Sequence, residues 1–139
     1  MDEPTSDETY TIPMRFQTIG DDELGRDFVR RRARINIVGI LFPIRACLEE
    51  PVLLDCDETA IGRDKTQDVL LADQSVSGRH ARVLRRDGVF TIEDLESSNG
   101  TYVDNVPVIT CTLHSGDTVQ IGRSLFVFDR IRVFEDQTD

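Results

Sequence analysis

The chain is 139 residues long and carries a net charge of −10 at neutral pH, enough for one domain with a buried core plus a tail. That acidity argues against nucleic acid as the main partner, because gripping a phosphate backbone needs a basic face. Cys47, Cys56 and Cys111 show no C-x-x-C spacing and there are only two histidines, which argues against a disulfide framework and a metal centre and suits a reducing cytoplasm.

Residues 1–23 hold seven acids against Arg15 alone and little to bury, so they read as a flexible tail. An acidic stretch stands where a secretory signal would be basic and then apolar, so no export signal is expected. The tail offers phosphoacceptors at Thr5, Ser6, Thr9, Tyr10, Thr11 and Thr18. Residues 24–34 reverse the charge, with Arg26, Arg30, Arg31, Arg32 and Arg34 against Asp27, and read as a linker or a short helix around Phe28. The division is therefore tail and linker over 1–33, a domain over 34–134, and a C-terminal tail over 135–139.

From Arg34 onward, short apolar runs alternate with Gly, Asp and Asn, the pattern of an all-β fold. The run Ile35–Ile44 is interrupted by Asn36, Gly39 and Pro43 and is too short to cross a bilayer. Ile35–Val38 and Ile44–Leu48 both fit a first strand. Val52–Asp55, Glu58–Ile61 and Val69–Leu71 follow. Ala81–Arg86 and Val89–Glu93 flank Asp87-Gly88, and Thr101–Val103 and Val106–Val108 flank Asp104-Asn105, two hairpin signals whose turn residues tolerate positive φ. Asn99-Gly100 carries the same signal. Gly116-Asp117 marks a turn before Thr118–Ile121. Ser124–Phe134 is the longest strand; its first half is apolar on both faces, and its second half alternates, with Ile131 and Val133 together. Ten or so short strands favour a β-sandwich, whose loops gather at its ends.

Three loop segments carry chemistry: Ile61-Gly62-Arg63-Asp64, Ser75-Val76-Ser77-Gly78-Arg79-His80 and Ser97-Ser98-Asn99-Gly100-Thr101. In this order, with Ile121-Gly122-Arg123 closing the series, they resemble the forkhead-associated (FHA) domain over about residues 35–134. The resemblance implies a two-sheet β-sandwich of about eleven strands, with ligand-binding loops at one end, that binds phosphothreonine peptides. It matches Arg63, Ser77 and Ser98 to phosphate contacts and Asn99 to a grip on the peptide backbone. Gly78 stands where many members carry a polar side chain and offers only its N–H. Arg79 is a secondary candidate, as is Ser75, at a position that in some members reads the third residue after the phosphothreonine. Gly62, His80, Gly100 and Thr101 are matched to structural roles.

The chemistry of these residues suits the ligand independently. A phosphothreonine carries close to two negative charges and three acceptor oxygens, so it favours a guanidinium and short donors. A Ser77–His80 hydrolase is the weaker reading, since it would also need an orienting acid and an oxyanion hole, and no Gly-x-Ser-x-Gly elbow is present. The chain is therefore read as a non-enzymatic, cofactor-free module whose partners are phosphothreonine proteins and a Ser/Thr kinase, with no nucleic acid and no membrane. Thr18-Ile19-Gly20-Asp21 makes Thr18 the candidate phosphosite for binding in cis. The alternative is a scaffold that binds a partner enzyme through the same loops without phosphate.

Overall fold

The computed structural model describes residues 15–18 and 35–134. These residues form twelve strands: β1 (Arg15–Thr18), β2 (Ile35–Arg45), β3 (Val52–Leu54), β4 (Glu58–Gly62), β5 (Val69–Leu70), β6 (Ala81–Arg86), β7 (Val89–Asp94), β8 (Thr101–Val103), β9 (Val106–Pro107), β10 (Thr110–Leu113), β11 (Thr118–Ile121) and β12 (Ser124–Phe134). Seven lie in one sheet, ordered β3-β2-β12-β11-β8-β9 with β1 also paired to β12, and five in the other, ordered β10-β7-β6-β4-β5. The result is the expected two-sheet sandwich. All pairs are antiparallel except β4 with β5.

Alternation sets which face goes inward. Leu41, Phe126, Phe128, Val119 and Ile121 of the large sheet meet Ile61, Val83, Phe90, Ile92 and Leu113 of the small one in a single core. Phe90 and Phe128 pack ring against ring, with centroids 5.4 Å apart and planes tilted by 58°. Gly39 leaves room for them, since a Cβ there would stand 2.8 Å from the Phe90 ring and 3.0 Å from Phe128.

Both hairpin signals form as read. Asp87 and Gly88 have φ of 53° and 77°, and Asp104 and Asn105 have φ of 50° and 69°, the left-handed pair a type I′ turn requires. Asn99-Gly100 does not close a hairpin. It lies between β7 of the small sheet and β8 of the large one, so its loop carries the chain from one layer to the other.

Other differences are local. The two alternatives for a first strand merge into one strand, β2, which runs through Pro43 and pairs with β12 along its whole length. β10 has no apolar run to announce it: Thr110-Cys111-Thr112-Leu113 is strand because it pairs with β7 from Thr110↔Glu93 to Leu113↔Phe90. β1 lies inside the segment read as tail, and pairs with the end of β12 from Arg15↔Phe134 to Thr18↔Ile131. The pattern of β12 is also the reverse of the expectation. Its first half alternates between buried and half-buried residues, while Arg130, Ile131 and Arg132 are buried in succession. β11 ends at Thr118 opposite Val127, and β1 takes over that edge from Ile131 onward. The basic segment 24–34 and the phosphoacceptors Thr5, Ser6, Thr9, Tyr10 and Thr11 lie outside the described residues.

Replacing Phe128 by Ala should lower the unfolding free energy by about 3–5 kcal/mol, since it empties a ring-sized volume under both sheets. Urea unfolding checks this: the midpoint should fall with little change in slope.

Candidate functional site

The loops after β4, before β6, after β7 and between β11 and β12 are bonded to one another, so they form one end of the sandwich. Backbone bonds make the first joint: Arg63 N–H donates to Ser77 O at 2.9 Å, Asp64 N–H to Gly78 O at 3.1 Å, and His80 N–H to Ile61 O at 3.0 Å. This approach requires Gly62, because a Cβ there would stand 2.1 Å from the Gly78 carbonyl oxygen. Gly62 is thus where the two loops meet backbone to backbone.

His80 makes the second joint. Its ring is fully buried. Nδ1 accepts from Ser77 N–H at 3.0 Å, so the ring proton sits on Nε2, which donates to Gly100 O at 2.9 Å. A histidine holding both nitrogens in backbone bonds is a brace and has no free atom for acid–base chemistry. Gly100 itself has a φ of +89°, a conformation glycine adopts without strain. Its N–H takes Ser97 Oγ at 2.9 Å.

A third joint runs through two aspartates absent from the sequence reading. The Asp94 carboxylate accepts from Ser97 Oγ, Ser97 N–H at 3.1 Å and Thr101 Oγ1 at 2.7 Å. Burial pushes its pKa up, but these donors and the nearby His80 outweigh that, and the net shift is downward. Asp73 accepts from Ser75 N–H and Ser75 Oγ, both at 2.9 Å, and from Ser124 Oγ at 3.3 Å; the Ser75 bonds chiefly hold its pKa low. The signal for both was present in the sequence as a short acid two or three residues before a serine, the spacing of a side-chain turn.

Ser75 differs from its assignment as a peptide reader. It is 5% exposed, and its hydroxyl donates to Asp73 while accepting from Arg123 N–H at 2.8 Å. Its one hydrogen is spent on Asp73, so the buried hydroxyl has no donor left for a ligand. Its carbonyl receives Asn99 Nδ2 at 2.8 Å, so the Asn99 amide is held in place while its side chain stays exposed.

The remaining groups face outward with donors to spare. Arg63 is exposed; Nε donates to Val76 O at 2.9 Å, and among the described residues no acceptor takes its two terminal nitrogens. Ser77 Oγ accepts from Ser98 N–H at 3.0 Å, which leaves the hydroxyl hydrogen to give away. Gly78 N–H has no acceptor among the described residues, and the Ser98 side chain is exposed. Asp64 stands beside Gly78: a Cβ there would lie 2.7 Å from Asp64 Oδ1, the end of an exposed side chain. Arg79 is exposed and makes no described side-chain bond. Arg63, Ser77, Gly78, Ser98 and Asn99 are thus brought together, and the arrangement offers hydrogen-bond donors to an anion. Among the described residues no group of His, Cys, Asp and Glu side chains could hold a metal, and no helix is long and apolar enough to cross a membrane.

A family model for the FHA domain matches residues 59–122, the span from β4 to the turn before β12. Over 76 residues the chain is 47% identical to an oxoglutarate dehydrogenase inhibitor of Corynebacterium diphtheriae, covering 55% of this chain and 53% of that protein. It is 45% identical to the glycogen accumulation regulator GarA of Mycolicibacterium smegmatis, covering 55% and 48%. The chain thus aligns with about half the length of the curated relatives it matches. A solved structure from work on phosphothreonine-dependent FHA domain interactions superposes with a TM-score of 0.59 at 29% identity, covering 66% of this chain and 93% of that one.

Two measurements probe the braces. His80→Ala leaves Ser77 N–H without its acceptor and Gly100 O with only Gly122 N–H as donor, and should cost about 1–3 kcal/mol in urea unfolding. For Asp94 the folded pKa lies below the unfolded one, so its contribution is complete above pH ~4 and is lost as pH falls through the folded value. Asp94→Asn should therefore flatten the acid limb of the stability–pH curve while lowering stability at pH 7.

Proposed function

The chain carries a forkhead-associated domain, as its bacterial relatives do, and from that premise we propose that it binds phosphothreonine peptides on the β4–β5, β5–β6 and β7–β8 loops. The observation that carries this is the set of unspent donors at one braced end: the Arg63 terminal nitrogens, the Ser77 hydroxyl, Gly78 N–H and the Ser98 hydroxyl. A dianionic phosphate with three oxygens matches that set in charge and in number of acceptors. Asn99, fixed through Ser75 O, keeps its amide oxygen for a peptide N–H. The module acts by binding, in a Ser/Thr kinase pathway of the bacterial cytoplasm. The inhibitor and regulator among its relatives support an enzyme as the downstream partner.

Binding in trans is the primary reading. Binding of the chain's own Thr18 has a structural cost. Thr18 pairs with Ile131, seven residues along β12 from Ser124 at the ligand end, or ~23 Å at strand rise. A phosphorylated Thr18 reaches the loops only after β1 leaves β12. The phosphate-independent scaffold remains the second reading, favoured by the inhibitor of an enzyme among those same relatives.

Fluorescence polarisation with matched phosphorylated and unmodified threonine peptides separates the two. The phosphopeptide should bind, Arg63→Ala should weaken it about tenfold to a hundredfold, and affinity should drop as pH falls through ~6, where the phosphate gains its second proton. Equal affinity for both peptides would reject the phosphate reading. Asp64→Asn removes a carboxylate from beside the Gly78 N–H and should tighten binding by about two- to fivefold.

A further inference from the structure

Four described residues other than glycine have a positive φ: Asp87, Glu96, Asp104 and Asn105. Three of them are explained where they stand. Asp87, Asp104 and Asn105 fill the two hairpin turns, and their short polar side chains tolerate the left-handed region. Glu96 is different. Its φ is 58°, it lies in the β7–β8 loop where no hairpin closes, and its longer side chain gains nothing from that conformation.

The loop forces this turn. On one side Leu95 N–H donates to His80 O at 2.9 Å; on the other, Ser97 N–H and Ser97 Oγ both donate to the Asp94 carboxylate. Residue 96 bridges two anchored neighbours, and glycine would do so without strain. A carboxylate stands there instead. It is exposed, and among the described residues no donor or cation is bonded to it. Charge adds a second cost. Glu96 lies two residues before Ser98 and three before Asn99, on a loop that offers donors to a phosphate, and a like charge so placed weakens the grip on an anion.

Backbone strain and repulsion both count against glutamate, and the fold uses this side chain neither for packing nor for bracing. A strained residue with no internal use, at the ligand end, points to a ligand contact, and a cation brought by the ligand offsets both costs. We propose that Glu96 is a specificity residue: it selects partners that carry a lysine or arginine beside the phosphothreonine, and it rejects acidic ones. The inference rests on the phosphopeptide reading of these loops and adds an opposite charge to it. Arg63 and its neighbours take the phosphate, and Glu96 takes the basic side chain. The net charge of −10 favours the same partners at long range. An exposed pair of this kind is modest in strength and sensitive to salt, so it acts on the choice between partners more than on affinity for any one.

Fluorescence polarisation on the full chain reads that choice. The probes are phosphothreonine peptides with a single lysine, alanine or aspartate at each of the three positions on either side. At one or two positions lysine should bind about threefold to twentyfold tighter than aspartate at low salt, and the ratio should shrink as salt rises. In Glu96→Gln and Glu96→Gly the ratio should fall towards one, and Glu96→Lys should invert it. Glu96→Gly relieves the strained φ, so its urea midpoint shows that any loss of selection is not a loss of folding. Two results would overturn the proposal: no position that prefers lysine in the wild type, or a ratio unchanged in Glu96→Gln. The alanine peptide is compared in parallel with its unmodified form. Equal binding of those two rejects the phosphate reading and this inference with it, whereas phosphate dependence with an unchanged ratio rejects the role of Glu96 alone.

Discussion

His80 is fully buried, and its two ring nitrogens hold Ser77 N–H and Gly100 O, groups on the β5–β6 and β7–β8 loops. A buried imidazole that satisfies one donor and one acceptor has a single neutral tautomer available to it, and any rotation would leave Ser77 N–H unpaired and Gly100 O with Gly122 N–H alone, at a cost of about 1–3 kcal/mol. Around it stand Asp94, with its three donors, and Asp73, which ties Ser75 and Ser124. The outward-facing residues share in this scaffold: Arg63 through Nε to Val76 O, Ser77 and Ser98 through the bond between them, and Asn99 through Ser75 O. Each is held by one such bond and still leaves Arg63, Ser77 and Ser98 with unspent donors on the surface.

The loop end is also electrostatically unlike the chain as a whole. The net charge is −10, yet this end is locally rich in donors. The acids nearest the ligand end, Asp73 and Asp94, are consumed as acceptors by serine, threonine and backbone groups. Asp64, beside Gly78, and Glu96, beside Ser97, remain exposed.

β12 organises the rest. It is paired with β2 along one edge, and with β11 and then β1 along the other. Its first residues turn under the ligand loops, where Arg123 N–H meets Ser75 Oγ, and its last ones carry β1. One strand therefore connects the braced loop end to the segment that holds Thr18, and the two are held apart by its length.

Much of this was legible from the chain alone, because the informative features are local. Asp87-Gly88 and Asp104-Asn105 dictate their turns through the φ values those residues tolerate, and strands such as Ala81–Arg86 and Ser124–Phe134 carry enough apolar residues to show their extent. The motif residues around Arg63, Ser77 and Asn99 were visible as types in order. What the sequence could not decide were relations between distant segments. Asn99-Gly100 has hairpin chemistry, but β7 and β8 find partners in different sheets, so the loop crosses the core. Ser75 is a polar residue in a loop and becomes buried only because the Gly122-Arg123 turn closes over it, where a Cβ on Gly122 would reach 2.5 Å from its carbonyl. β10 and β1 have little strand signal of their own and exist because β7 and β12 present free edges to them. Hydrogen-bonding edges and covering layers come from residues tens of positions away, and only the folded chain brings them together.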